Sequence, residues 1–297
     1  MSRLRLEGVF VPHITPFQRN GEINEDALRQ CVRFWVEEGL SGLVPCGSNG
    51  EAPYLLKEER KRVIEIVVDE VNGKVPVVAG TGAISTRETI QLTKDAKSIG
   101  VNAALVVTPF YYKYSSKEIY DHYSTVIEAV DLPILIYNVP KFTGFSLEPS
   151  VVYELVSEYD GVVGIKDSSG NLGQIAELTR LVGDKVSVLA GTADVIFPTL
   201  MLGGKGAVIA VANVTPRLCG ALYKAFKEGE FVDSSKLQRR ICYVNEALIK
   251  RHNQLSAIKE ALNMKGLPAG YPRKPTALLE KTEKGEIKEM LEIVDAV

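Results

Sequence analysis

A chain of 297 residues, 45% hydrophobic and 24% charged, carries enough apolar matter for a sizeable core, which excludes both a disordered protein and a disulfide-dependent miniature domain. Its 35 basic and 37 acidic residues leave a net charge of −2, so no basic footprint marks it for nucleic acid or an anionic membrane. No apolar run approaches the roughly 18 residues needed to cross a bilayer. The opening residues, Met1 to Glu7, include arginines but no apolar stretch of a secretory leader, so a cytoplasmic protein is expected. Cys31, Cys46, Cys219 and Cys242 are dispersed and form no CxxC pair, the usage of reduced thiols. His13, His122 and His252 lack Cys, His or carboxylate neighbours at ligand spacing, so no bound metal is expected.

Along the chain, short β-branched apolar runs alternate with longer amphipathic stretches. The runs are Gly8–Ile14, Gly42–Cys46, Val75–Ala79, Ala103–Val107, Pro133–Ile136, Gly161–Ile165, Val186–Ala190 and Gly206–Val211. They are apolar on both faces, as buried parallel strands are. Helices are predicted over Asn24–Glu38, Ser85–Lys97, Ser116–Ala129, Glu148–Tyr159, Leu172–Val182 and Ala193–Leu202. In the first, Ala27, Leu28, Cys31, Val32, Trp35 and Val36 share one face, Asn24 suits the N-cap and Gly39 the stop. Ser85 and Glu88 have the spacing of a capping box.

Eight β-then-α units predict a closed (β/α)8 TIM barrel over residues 1–225, in preference to an open doubly wound sheet. Beyond it the strand pattern stops. Glu228–Glu230, Leu237–Leu248, Ser256–Lys265 and Ile287–Val294 read as helices of a small C-terminal extension, residues 226–297, interrupted by Pro268, Pro272 and Pro275.

Active sites of this fold lie at the carboxyl ends of the strands. Small, polar and phenolic groups gather there: Gly47 to Glu51 after the second run, Thr108 to Tyr112 after the fourth, Tyr137 to Pro140 after the fifth, Lys166 to Gly170 after the sixth and Gly191 to Asp194 after the seventh. Lys166 closes an apolar run. Desolvation favours a neutral amine, which attacks a ketone and forms a Schiff base. Its bland reading is an ion pair with Asp167 or another rim carboxylate. Tyr137 closes the neighbouring run, and adjacent strands lie about 4.8 Å apart, so phenol and amine are placed to share one substrate. Carbinolamine formation and retro-aldol cleavage both need such a proton carrier. Its bland reading is a rim hydroxyl bonded to backbone. Ser48 and Asn49, in a glycine turn, offer donors suited to a carboxylate, although such turns more commonly only connect elements.

Taken in order, Gly47-Ser48-Asn49-Gly50-Glu51, Tyr137-Asn138-Val139-Pro140 and Gly164-Ile165-Lys166-Asp167 resemble the signatures of the dihydrodipicolinate synthase/N-acetylneuraminate lyase superfamily. Thr15-Pro16-Phe17, Thr108 to Tyr112 and Gly203-Gly204-Lys205-Gly206 extend the likeness over nearly the whole chain. The resemblance implies a metal-independent class I pyruvate aldolase without cofactor. Lys166 falls at the imine-forming lysine and Tyr137 at the proton-transferring tyrosine. Ser48 falls in the hydroxyl relay, and Tyr111 at a tyrosine lent across a dimer contact. Ser48 and Asn49 would hold the ketoacid carboxylate. Lys141, Phe142, Ser168, Gly191 and Val208 are the further substrate-contact candidates. Partners would be a ketoacid, an aldehyde and copies of the chain in a homotetramer, a dimer of dimers.

Two departures bear on the substrate. The turn reads Ser48-Asn49 where dihydrodipicolinate synthases carry two threonines. Phe142 stands where they carry the arginine that receives the semialdehyde carboxylate. Phenylalanine donates nothing, and neighbouring Lys141 is a point charge rather than a fork. With Ser168 to Asn171, these features look more like 4-hydroxy-2-oxoglutarate and 2-keto-3-deoxy sugar acid aldolases. Reversible cleavage of such an acid to pyruvate or glyoxylate plus an aldehyde is therefore preferred. Condensation of pyruvate with aspartate semialdehyde is the alternative, and a non-catalytic ketoacid-binding barrel a third.

Overall fold

The structure, a computed structural model, describes residues 4–295. The expectation about the chain's start rests partly on residues 1–3, outside the described ones. Eight strands alternate with helices: β1 (Gly8–Val11), α1 (Glu25–Glu37), β2 (Gly42–Leu43), α2 (Lys57–Val71), β3 (Val78–Gly80), α3 (Thr86–Ile99), β4 (Ala103–Val107), α4 (Ser116–Ala129), β5 (Ile134–Asn138), the one-turn α5 (Pro140–Thr143), α6 (Pro149–Glu158), β6 (Val162–Asp167), α7 (Leu172–Val182), β7 (Ser187–Ala190), α8 (Ile196–Met201) and β8 (Gly206–Val208). The helices α9 (Pro216–Lys227), α10 (Phe231–Asn245), α11 (Gln254–Met264) and α12 (Lys281–Asp295) follow. The sheet order β2-β1-β8-β7-β6-β5-β4-β3 is that of a (β/α)8 TIM barrel with a C-terminal helical extension.

The chain packs as two units. The first comprises described residues 4–8 and 77–208. In it β3 to β8 run parallel, each beside its neighbour in sequence. Gly206 lies against the Gly8 backbone, where a Cβ would overlap the Gly8 carbonyl, and Gly8 N–H donates to Lys205 O at 3.0 Å. The second unit comprises residues 9–76 and 209–295. There Phe10 and Val11 pair with Gly42 and Leu43, Ile209 N–H donates to Phe10 O, and Leu43 N–H donates to Pro76 O.

Local sequence explains the helices. The Asn24 side chain accepts from Ala27 N–H, and Ala27, Leu28, Cys31, Val32 and Trp35 are buried, leaving Val36 half-buried. Ser115 and Glu118 form the full reciprocal cap of α4. At α3, Ser85 accepts from Glu88 N–H. Two helices escape the apolar pattern. α2 opens on Lys57 to Arg62, and its buried face starts only at Val63, while α9 buries a short face that includes Cys219 and Ala225.

The C-terminal boundaries differ from expectation for similar reasons. α10 begins at Phe231 rather than Leu237, because its first turns expose Phe231 and Val232 and bury Ser234 and Gln238, which reverses the hydropathy cue. α12 begins at Lys281 rather than Ile287, on charged residues. Glu228–Glu230 is a turn, with Gly229 at φ +81, not a helix. The strand ends move too. β2 and β8 stop after Leu43 and Val208, whereas β5 and β6 run on through Asn138 and Asp167.

All four cysteines are free thiols. Burial pushes Cys31, Cys46 and Cys219 up to about 12, so these sulfurs stay protonated. No helix among the described residues is long and apolar enough to cross a membrane.

Two imidazoles are held neutral in the core. His13 stacks on Trp35 at 5.1 Å and meets Ile14 O through Nδ1. His122 meets Thr86 Oγ1 through Nδ1 at 2.9 Å. Burial lowers each from 6.5 to about 4. The unfolded chain therefore binds more protons between those values, and stability falls as pH drops from about 6.5 to 4, then levels for these groups. Each imidazole contributes on the order of 3 kcal/mol to that loss. Urea unfolding across this range should show a shallower decline in His122→Gln than in wild type; equal slopes would contradict the assignment.

Candidate active site

The first unit brings Lys166 and Tyr137 together by strand pairing. Parallel β5 and β6 place Tyr137 opposite Lys166 and Asn138 opposite Asp167. Side chains at paired positions share a face, and successive residues alternate. Amine and phenol therefore lie on one face, and amide and carboxylate on the other. Lys166 Nζ sits 4.0 Å from the centre of the Tyr137 ring, and both side chains are buried.

The register depends on an irregularity. Ile134 pairs with Val162, but the next residue, Leu135, pairs with Gly164, so Val163 is extra. Without it, Tyr137 would face Ile165. Gly164 sits where a Cβ would overlap Ser187 O and lie 3.1 Å from Leu135 Cδ1, so only glycine fits beside both neighbouring strands.

The opposite face gives Asp167 partners other than Lys166. Asp167 is fully buried and accepts four hydrogen bonds: at Oδ2 from Asn138 Nδ2 (2.7 Å) and Gln174 Nε2 (2.8 Å), at Oδ1 from Ser169 N–H (3.0 Å) and the Ser169 hydroxyl. Asn138 Oδ1 accepts from Leu147 N–H at 2.9 Å. These polar residues extend the ladder two positions past the apolar run, because their hydrogen bonds are satisfied within the fold. Lys166 and Tyr137 thus lie inside their strands, one residue before the end.

Beyond β6 and β7, Ser168 packs directly against Gly191, whose N–H donates to Asp167 O at 2.7 Å. Val208 is the buried last residue of β8. Lys141 and Phe142 lie on α5; Phe142 is half-exposed, and Lys141 Nζ sits 5.5 Å over its ring. Tyr111 is 82% exposed after β4, at a φ of +84 that costs energy outside glycine, and meets Tyr112 edge-on. Thr108 and Thr192 were not among the expected site residues. Their hydroxyls, like that of Ser168, are buried without a partner among the described residues, Thr108 directly after β4 and Thr192 two residues after β7. Both lie in stretches that the sequence places after strand ends, but nothing in the sequence singles out these two hydroxyls within them.

In the second unit, Ser48 and Asn49 occupy the turn after β2. Ser48 is half-buried, its carbonyl accepting from Glu51 N–H at 3.2 Å. Asn49 is buried and accepts at Oδ1 from Gln254 Nε2 at 2.8 Å, a partner from α11 that the sequence pattern does not foretell. Among the described residues, no group of three His, Cys, Asp or Glu is arranged to hold a metal ion.

Residues 5–294 match the dihydrodipicolinate synthetase family profile. A 4-hydroxy-tetrahydrodipicolinate synthase of Methanothrix thermoacetophila is 41% identical over 96% of this chain and 95% of its own. A crystal structure of dihydrodipicolinate synthase from Aquifex aeolicus superposes with a TM-score of 0.94 at 33% identity, covering 98% of both chains. An Escherichia coli K12 prophage protein of this family, crystallised with pyruvate, gives 0.94 at 29% identity over 98% of this chain and 99% of that one. The chain belongs to the dihydrodipicolinate synthetase family, whose enzymes are class I aldolases that form a lysine Schiff base with pyruvate and use no metal or other cofactor.

Gly164→Ala should cost about 1–3 kcal/mol, the usual range for overpacking against backbone. Differential scanning calorimetry would read it, and an unchanged midpoint would mean the strands close around the extra methyl.

Proposed function

From that membership, we propose that Lys166 forms an imine with pyruvate, that Tyr137 carries the protons, and that the resulting enamine condenses with aspartate semialdehyde, the reaction of a 4-hydroxy-tetrahydrodipicolinate synthase. The observation that supports it most is the shared face of Tyr137 and Lys166 in one strand register.

In this reading the Lys166 amine adds to C2 of pyruvate, and the carbinolamine loses its hydroxyl as water, taking a proton delivered through the phenol. The protonated imine withdraws electrons, C3 loses a proton, and the enamine carbon attacks the aldehyde. The acceptor's own amine then displaces Lys166 from C2 and closes the ring. The roles of Ser48 in the hydroxyl relay, and of Ser48 and Asn49 as carboxylate holders, rest on the likeness of their turn. Thr108, Ser168 and Thr192 present buried hydroxyls suited to polar atoms of the substrate. Lys141, Gly191 and Val208 complete the proposed contact set.

The relatives carry the name of the reaction that the sequence pattern ranks second. One observation favours the first-ranked reading, retro-aldol cleavage of a 4-hydroxy-2-oxo or 2-keto-3-deoxy acid: Phe142, not a guanidinium, stands on α5, with only Lys141 beside it. The exposed, left-handed Tyr111 supports its expected place in a neighbouring copy's site; the homotetramer rests on the family resemblance.

Borohydride reduction with pyruvate should leave the adduct on Lys166 and none in Lys166→Arg, whose guanidinium stays protonated. Wild-type protein with no adduct would sink the imine. Tyr137→Phe should lose about 10²–10⁴-fold in kcat, the range for one acid–base group; wild-type turnover would remove the phenol from the reaction. A reductase-coupled assay with aspartate semialdehyde, run beside a panel of sugar-derived aldehydes, separates the two reactions. Faster turnover with the panel than with the semialdehyde would overturn the synthase reading.

A further inference from the structure

The tail that reads as an appendage holds the Gly47–Glu51 turn from two sides. α11 begins at Gln254, whose Nε2 donates to Asn49 Oδ1 at 2.8 Å. Further along the same helix, Lys259 donates to Glu51 Oε1 at 2.5 Å and to Tyr271 O at 2.8 Å, with Nζ 4.4 Å over the Phe17 ring. Glu51 Oε2 accepts from Arg273 N–H at 2.8 Å. Lys259 and Glu51 are each 1% exposed. Arg273 also forks onto Glu59 and reaches Gly21 O and Tyr54 O. Glu51 itself is left-handed, at φ +58, a conformation that needs outside support in a non-glycine residue.

These contacts fix more than a backbone path. A carboxamide has one acceptor end and one donor end. Gln254 occupies the acceptor end of Asn49, so the orientation that keeps this bond turns Nδ2, the donor, the other way. A carboxylate accepts only from donors. We propose that Gln254 and Lys259 are positioning residues of the enzyme: Gln254 sets which end of Asn49 meets the ketoacid carboxylate, and the Lys259–Glu51 pair pins the turn that carries it. This rests on the reading in which that turn receives the carboxylate.

The test is Gln254→Glu, which keeps size but replaces the donor by an acceptor and so favours the reversed amide. KM for pyruvate should rise about ten-fold, the worth of one hydrogen bond to a charged group, with kcat changed less than about two-fold. In an Asn49→Ala background the same substitution should add nothing to KM, because no amide is left to orient. The joint variant Lys259→Met with Glu51→Leu removes both buried charges and leaves neither orphaned; it should fold and also raise KM. An unchanged KM in Gln254→Glu, or an effect that persists undiminished without Asn49, would overturn the proposal. Borohydride trapping separates the levels. Wild type that traps pyruvate, beside a variant with an unshifted half-saturation concentration, defeats the positioning role alone, whereas wild type that traps none defeats the underlying reading and this one together.

Discussion

The parallel pairing of β5 with β6 is the constraint on which the proposed chemistry depends. It puts an amine and a phenol at the same height on one face and a carboxylate and an amide at the next height on the other. The pleat thereby solves a problem that sequence adjacency creates. Lys166 and Asp167 are neighbours in the chain, and an ion pair between them would hold the amine charged. Alternation sends them to opposite faces, and four donors on the far side satisfy the carboxylate without calling on the lysine.

Much of this was legible in the residues. Eight apolar runs gave eight strands, because strands buried on both faces need uninterrupted hydrophobicity. Lys166 and Tyr137 stood out as polar groups ending such runs. The misplaced boundaries have a common cause. Asn138 and Asp167 continue their strands because each finds buried partners, which hydropathy does not register. Phe231 and Val232 open a helix facing outward, so apolar residues there mark no core. Gln254 and Lys259 lie more than 200 positions from the residues they hold, and nothing local announces such a contact.

The substrate question turns on a smaller scale. In the proposed reading the same imine serves both reactions, so residues around Lys166 and Tyr137 do not choose between them. In that reading the choice falls to whatever meets the far end of the acceptor, where Phe142 on α5 offers no fork of donors to the semialdehyde's carboxylate. Overall likeness to relatives is spread over the whole chain and weighs this one position no more than any other.

The unpaired Val163 gives this chain a place to change that leaves the positions of Lys166 and Tyr137 untouched. A bulge absorbs one residue without moving the partners downstream, so the stretch before it tolerates drift in sequence while the segment after it is locked in phase. A one-residue deletion beyond Gly164, by contrast, would bring Asp167 opposite Tyr137 in place of Lys166, and an insertion would bring Ile165 there. In this chain, a change of length along β6 keeps Lys166 opposite Tyr137 only at the strand's entrance, whereas at its exit only substitution preserves the pairing.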